Sequence, residues 1–196
     1  MYDKINFTEN TLRVLSLFTD GFDVEFYVRE VERLAGISPR TAQLILEDLE
    51  NKGVLRSKLK GKIKLYFLSQ SGSAIRFLMF AEQYKLIVFL AKNVLIKEII
   101  EKISVHIQGI GVVFGSYVKG LEKKGSDLDI FVVGSYDAVE IKRISQSFGV
   151  DVSVKCYPMK IFKRNLNDDF LLKEILKKHV VFVGVEQFIG EVFNDE

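Results

Sequence analysis

The chain has 196 residues, 48% of them hydrophobic and 28% charged. That composition belongs to a folded globular protein and excludes a disordered one, and the length suits one large domain or two small ones. The formal net charge of +2 is too small to argue for nucleic acid by itself, but the charge is unevenly spread. Through Glu50 there are five Lys and Arg against ten Asp and Glu, whereas residues 51–81 hold seven basic residues and no acid. The single cysteine, Cys156, excludes an intramolecular disulfide and fits a reducing compartment. His106 and His179 stand far apart without accompanying cysteines, so neither suggests zinc. Residues 1–6 carry an acid where a secretion signal would have basic and then apolar character. The most apolar helical stretch is broken by Arg76, Glu82, Lys85, Lys92 and Lys97, short of the roughly 18 residues that a spanning helix needs. A soluble cytoplasmic protein without a membrane partner is expected.

In chain order, Thr8-Glu9-Asn10 precedes Leu12, Val14, Leu15, Leu17 and Phe18, an amphipathic helix that ends near Asp20-Gly21. A second helix over residues 27–34 has Val28, Val31 and Leu34 at helical spacing, and Gly36 closes it. Ser38 caps a third, with Pro39 at the first position, where a missing amide costs no hydrogen bond. Ala42, Ile45, Leu46 and Leu49 form its apolar stripe and Gly53 ends it. The short link between the second and third helices is a helix-turn-helix signal.

From Leu55 to Leu68 the apolar positions Leu55, Leu59, Ile63, Leu65 and Phe67 are odd, while Arg56, Lys58, Lys60, Lys62 and Lys64 are even. The alternation predicts a strand pair turning at Lys60-Gly61, one face on the helices and the other basic. Over about residues 1–70 this order of elements resembles the winged helix-turn-helix DNA-binding family. The resemblance implies double-stranded DNA as a partner. Arg40, Thr41 and Gln43 would read base edges from the third helix, and Lys58, Lys60, Lys62 and Lys64 would contact phosphates. The alternative is that the lysines only protect an exposed hairpin from edge-to-edge association. Glu47, Asp48 and Glu50 on the same helix argue in that direction.

After Ser71-Gly72-Ser73, residues 74–104 read as a long helical segment apolar on most sides, a linker over 71–104. Such a segment is covered by more than one neighbour. A homodimer through residues 74–104 and a monomeric interdomain core are equally compatible with it.

The strongest signal follows. Val112-Val113-Phe114 leads into Gly115-Ser116-Tyr117-Val118-Lys119-Gly120, and Ser126-Asp127-Leu128-Asp129 leads into Ile130-Phe131-Val132-Val133. A glycine at the end of a strand lets a phosphate approach the backbone, and the first amides of a following helix lack intrahelical acceptors. Ser116 adds a hydroxyl, and Lys119, three positions on, adds a point charge on the same helix face. Asp127 and Asp129, two apart on a strand, point to one side of the sheet. Two facing carboxylates repel, and a hard divalent cation relieves that repulsion. Asp151, in the β-branched run Val150-Asp151-Val152-Ser153-Val154, is the candidate third acid, with a connecting helix over residues 138–147 between. Further on, residues 169–178 read as a helix and Val180–Val183 as a strand. Lys160, Lys163 and Arg164 read as a solvated basic surface.

Over residues 105–196 the chain resembles the minimal nucleotidyltransferases of the DNA polymerase β superfamily. The motif residues that match are Gly115, Ser116, Lys119, Gly120, Ser126, Asp127 and Asp129, with Asp151 matching by position. Val118, Leu121 and Glu122 depart from the usual pattern. The resemblance implies an α+β protein of two domains, with a C-terminal mixed-sheet α/β nucleotidyltransferase fold at 105–196. It implies a nucleoside triphosphate held by Gly115, Ser116, Lys119 and Ser126. It also implies two magnesium ions, roughly 4 Å apart, held by Asp127, Asp129 and Asp151 as the catalytic carboxylates. A nucleoside monophosphate would pass to an acceptor hydroxyl. The alternative is a transcription regulator whose nucleotidyltransferase-like domain senses a nucleotide or binds a protein partner without turnover. An antitoxin-like role rests on family analogy alone.

Overall fold

The computed structural model describes residues 7–193, and the reading of residues 1–6 as unlike a secretion signal lies outside them. The chain divides into two compact units between Tyr84 and Lys85.

The first unit begins with α1 (Glu9–Thr19), whose first turn is capped by Thr8 accepting the Thr11 amide at 3.1 Å. In α2 (Val28–Ala35), the Glu30 side chain reaches back to the Tyr27 amide, again at 3.1 Å. Ser38 caps α3 (Pro39–Asn51) by accepting the Thr41 amide. The apolar stripes of the three helices meet, and Val14, Leu15, Phe18, Val31, Ala42, Leu46 and Leu49 are fully buried. Burying each such aliphatic or aromatic side chain contributes roughly 1.5–3 kcal/mol. Next come β1 (Leu55–Lys60) and β2 (Ile63–Leu68), an antiparallel pair. Phe26 adds a further bridge to Tyr66 through two backbone bonds of 2.8 and 2.9 Å.

The hairpin corrects the expected division of its faces. Pairing runs Leu55↔Leu68 through Lys60↔Ile63, so the turn is Gly61-Lys62, with Gly61 left-handed at φ 63°. Opposed residues share a face, and this register joins odd positions of β1 to even positions of β2. Leu55, Tyr66 and Leu68 are therefore the buried set. Leu59, expected inside, is 76% exposed, and Ile63 is 50% exposed. Lys64 stands on the face that packs, whereas Arg56, Lys58 and Lys60 share the opposite one with Leu65 and Phe67. The basic residues do not form one continuous stripe.

The long helical segment is two helices, α4 (Gly72–Lys92) and α5 (Val94–Ser104), interrupted at Asn93. Ala74, Leu78 and Ala81 of α4 are buried within the first unit. Among the described residues no helix is long and apolar enough to cross a membrane.

The second unit is built on a mixed sheet of β3 (Ile107–Phe114), β4 (Leu128–Tyr136), β5 (Val152–Tyr157) and β6 (Val180–Val183), in the order β5-β4-β3-β6. β3 pairs antiparallel with β4 and β6, and β4 pairs parallel with β5. The parallel connection requires a crossover, supplied by α7 (Ala138–Phe148), which Asp137 caps. Leu128, Ile130 and Val132 pack with Ile96, Ile99, Ile103, Ile141 and Ile144, so α5 and α7 cover one face of the sheet. Alternation sends Asp129 and Phe131 to the other face. There Phe131 meets Tyr157 edge-on at 5.2 Å, and Phe162 of α8 (Met159–Asn165) at 6.2 Å. The run containing Lys160, Lys163 and Arg164 is thus a helix. α9 (Phe170–Lys177) and α10 (Val185–Phe193) complete the unit, and α10, not expected from the sequence, buries Phe188 and Ile189.

Candidate functional site

The site in the second unit forms where β3 ends and β4 begins. The last residue of β3, Phe114, lies opposite Asp129. Gly115 follows with φ 77° and ψ −146°, backbone that only glycine adopts without strain. A Cβ there would collide with Asp129 Oδ2 and lie 2.9 Å from its Cγ. The main chain at Gly115 therefore touches the Asp129 carboxylate, and the two halves of the motif form one place. Ser116–Lys119 makes a single helical turn, α6, closed by left-handed Gly120. The Leu121 amide returns to the Ser116 carbonyl at 3.0 Å.

Ser126 anchors the far end of the loop. Its hydroxyl accepts the Lys123 amide at 2.8 Å, and its carbonyl accepts the Tyr117 hydroxyl at 3.3 Å. Both contacts brace the residue before Asp127. Tyr117, which the motif pattern does not single out, joins the two halves of the motif, and its half-buried ring leans on the core. Burial, followed by Glu122 and Asp127, pushes its phenol above the ordinary range.

Asp127 is exposed just before β4, and Asp129 is half-buried on it. Burial and then the Asp127 charge push the Asp129 carboxyl up, with Lys155 opposing. The Leu128 amide donates to the Asp151 carbonyl at 2.7 Å, and the parallel register pairs Leu128 with Val152 and Asp129 with Ser153. One step back along both strands, Asp151 lies beside Asp127. The two acids and Ser153 border one open depression. Among the described residues no group of three His, Cys, Asp or Glu is positioned to hold a metal ion. Asp127 and Asp129 do fit a hard divalent cation, because they are mutually repelling oxygen donors beside a backbone cradle.

Lys119 is exposed and lies 3.8 Å from Glu174 of α9. The carboxyl of Glu174 is held low, first by Lys177 and more weakly by Lys119. Lys155 shares the two-residue period of Asp151 and could have been found by it. Glu174 is 55 positions from Lys119 and gives no local signal.

Arg40, Thr41 and Gln43 occupy the first turns of α3, as expected. Arg40 donates to Gln43 at 3.4 Å, Gln43 to Glu47 at 2.8 Å, and the Thr41 hydroxyl lies 2.8 Å from that of Ser38. Two of the four hairpin lysines have acidic partners within the unit. Lys64 is 2.7 Å from Glu50 and lies over the Tyr66 ring at 4.8 Å. Lys58 pairs with Glu25 and lies over the Phe67 ring at 5.6 Å. The Lys64 ammonium, and then the Ser57 hydroxyl, hold Glu50 below its usual range. Among the described residues no ion pair engages Arg56, Lys60 or Lys62.

A family model described as the nucleotidyltransferase domain matches residues 86–188, more than half of the chain. The chain belongs to the nucleotidyltransferase domain family. The matched residues start one position inside the second compact unit and take in Gly115, Ser116, Lys119, Ser126, Asp127, Asp129 and Asp151. This nucleotidyltransferase-family chain has no match among the curated proteins. Among solved structures it is similar to TrmBL2, described as an archaeal chromatin protein with a novel mode of DNA binding. The identity is 14%, covering 88% of this chain and 71% of TrmBL2, with a TM-score of 0.30.

Proposed function

We propose that the nucleotidyltransferase unit binds a nucleoside triphosphate and transfers its nucleoside monophosphate to an acceptor hydroxyl. The observation that carries this reading is the contact of the Gly115 backbone with the Asp129 carboxylate, beside Asp127. A phosphate received at the Gly115-Ser116 turn would lie against the two acids. Magnesium would be held by Asp127 and Asp129, with Asp151 as a third carboxylate, and when bound it supplies charge neutralisation and polarises phosphate oxygens. The chain's own residues would do the rest. The Ser116 hydroxyl donates to phosphate, Lys119 leaves Glu174 to add a positive charge, and Ser126 keeps Asp127 in place. Asp151 accepts the proton of the acceptor hydroxyl as its oxygen bonds to the α-phosphorus and pyrophosphate leaves. Most of the acceleration would come from positioning and charge, as in other phosphoryl transfers.

The test is to incubate the full chain with each of the four α-labelled nucleoside triphosphates, magnesium, and cellular nucleic acid and protein as acceptors. Label should appear in an acceptor and disappear with Asp127→Ala. A second reading is a sensor that binds nucleotide without turnover. The lack of a three-acid group among the described residues favours it. Nucleotide binding without transfer to any acceptor would decide for the sensor.

The first unit, in the same proposal, is a reader of double-stranded DNA, which would suit either a tethered enzyme or a transcription regulator. Arg40, Thr41 and Gln43 on the exposed start of α3 support it, and so do Arg56, Lys60 and Lys62 on the hairpin. A homodimer is also part of the proposal, supported by the exposed Ile87, Val94 and Leu95 on α4 and α5. Sedimentation of wild type against Ile87→Glu tests it. A single exposed cysteine suits a reducing, cytoplasmic setting.

A further inference from the structure

The start of α9 is fixed to the same face of the sheet as the two acids. Its cap residue, Asp169, accepts the Leu172 amide with one oxygen at 3.0 Å and the Tyr157 hydroxyl with the other at 3.1 Å. Tyr157 packs edge-on against Phe131, which follows Asp129 by two positions on β4 and so shares its face. One turn into α9, Glu174 meets Lys119 of the phosphate seat. The helix is thus tied to the sheet at its start, beside Val133, and to the seat one turn further on.

Between the two ties stands Phe170, which is 80% exposed. Phe170 and Glu174 are four residues apart on a helix, so they lie on one face with Cβ atoms about 5–6 Å apart. The ring is therefore one helical turn from the contact that marks Lys119. On the seat itself, Leu121 is 68% exposed although its amide is bonded to the Ser116 carbonyl. A single exposed phenylalanine is unremarkable on any surface. This one stands one helical turn from the ion pair that joins α9 to the phosphate seat, on a helix whose start a carboxylate–phenol bond fixes to the same face of the sheet.

We propose that Phe170 is the platform on which the nucleotide's base stacks, with Leu121 a second apolar contact beside the seat. The inference rests on the proposed reading of Gly115, Ser116 and Lys119 as the triphosphate seat, and it extends that reading from the phosphates to the base. An aromatic face accepts any base, because every base presents a π-face. The platform therefore selects nucleotides over bare polyphosphate rather than one base over another. Stacking removes apolar ring surface from water that α9 leaves exposed.

Calorimetric titration of the full chain in magnesium tests this with ATP, GTP, CTP, UTP and inorganic tripolyphosphate as probes. Wild type should bind nucleotides more tightly than tripolyphosphate. Phe170→Ala should weaken the nucleotides by about tenfold and leave tripolyphosphate unchanged, while Phe170→Trp keeps nucleotide affinity. Because the ring is exposed, the alanine variant should melt with wild type. Equal weakening of nucleotides and tripolyphosphate, or no weakening of either, overturns the platform and leaves the seat standing. Failure of wild type to bind any of the five probes overturns platform and seat together.

Discussion

Two of the antiparallel strand pairs, β1–β2 and β3–β4, treat their charged residues in opposite ways. At the start of β4 the acids Asp127 and Asp129 are two apart along one chain, and in extended backbone that spacing favours one side whatever the strand pairs with. In the hairpin the alternation crosses a turn. The pairing Lys60↔Ile63 sends odd residues of one strand to the face of even residues of the other. Spacing within a strand is a local property, whereas spacing across a turn depends on the turn's length. A constellation built on the first kind survives folding intact, and one built on the second can be divided, as Lys58 and Lys64 are.

Substitution of the acids should have the greatest consequence. Asp127→Ala should reduce nucleotidyl transfer by at least about 100-fold, the scale seen when a preorganised transition-state contact is removed. Transfer from an α-labelled nucleotide is the measurement, and activity within a few-fold of wild type would show that the shared side of the two acids has no chemical consequence. Gly115→Ala comes next. Its left-handed backbone alone costs about 1–3 kcal/mol, and the new methyl group collides with Asp129. Both lower stability to denaturant and weaker nucleotide binding are expected. A variant as stable and as tight-binding as wild type would show that the backbone and the carboxylate do not share one place.

The hairpin is tested by salt. Replacing Arg56, Lys60 and Lys62 with alanine should lower the slope of log affinity against log salt for duplex DNA by about 3, near one for each phosphate no longer neutralised. Replacing Lys58 and Lys64 should leave the slope unchanged, because their charges already serve Glu25 and Glu50. Their removal should instead cost stability, by less than about 1 kcal/mol each, as for exposed ion pairs. Equal effects on the DNA slope would mean that register does not sort these cations.

Much of both units was legible because the signals were local. Ser38-Pro39 marks the start of α3, and the helix begins there. The order strand, Gly-Ser turn, acid-rich strand start, crossover helix, strand is present in the sequence, and β3, α6, β4, α7 and β5 follow it. What was not legible depends on partners distant in sequence. Nothing near Lys119 points to Glu174, and nothing near Lys58 points to Glu25. The motif assigns Ser126 to the nucleotide, yet its hydroxyl closes a turn with Lys123 three residues away. The break at Asn93 also escaped, because apolar residues on most sides of α4 run on into Val94, Leu95 and Ile96 of α5 and hide the change of helix.

The smallest predicted effect asks whether the acid pair is strained when no cation is present. Burial and the neighbouring Asp127 charge raise the Asp129 carboxyl pKa in the folded chain. A raised acid favours the folded state while protonated, so its contribution is full below the unfolded-state pKa, about 3.9, and is lost as pH rises through the folded value. At neutral pH the ionised Asp129 therefore subtracts from stability, and Asp129→Asn removes that term. In metal-free buffer the asparagine variant should melt above wild type at pH 7, and the gap should close as the pH falls through the carboxylate range. Adding magnesium should raise the melting point of wild type more than that of the variant, because only wild type gains relief of a charged pair. A variant that melts below wild type at pH 7 without magnesium would mean that Lys155, rather than a bound cation, already balances the pair. The acids of β4 would then resemble the hairpin lysines, charges met from within the fold.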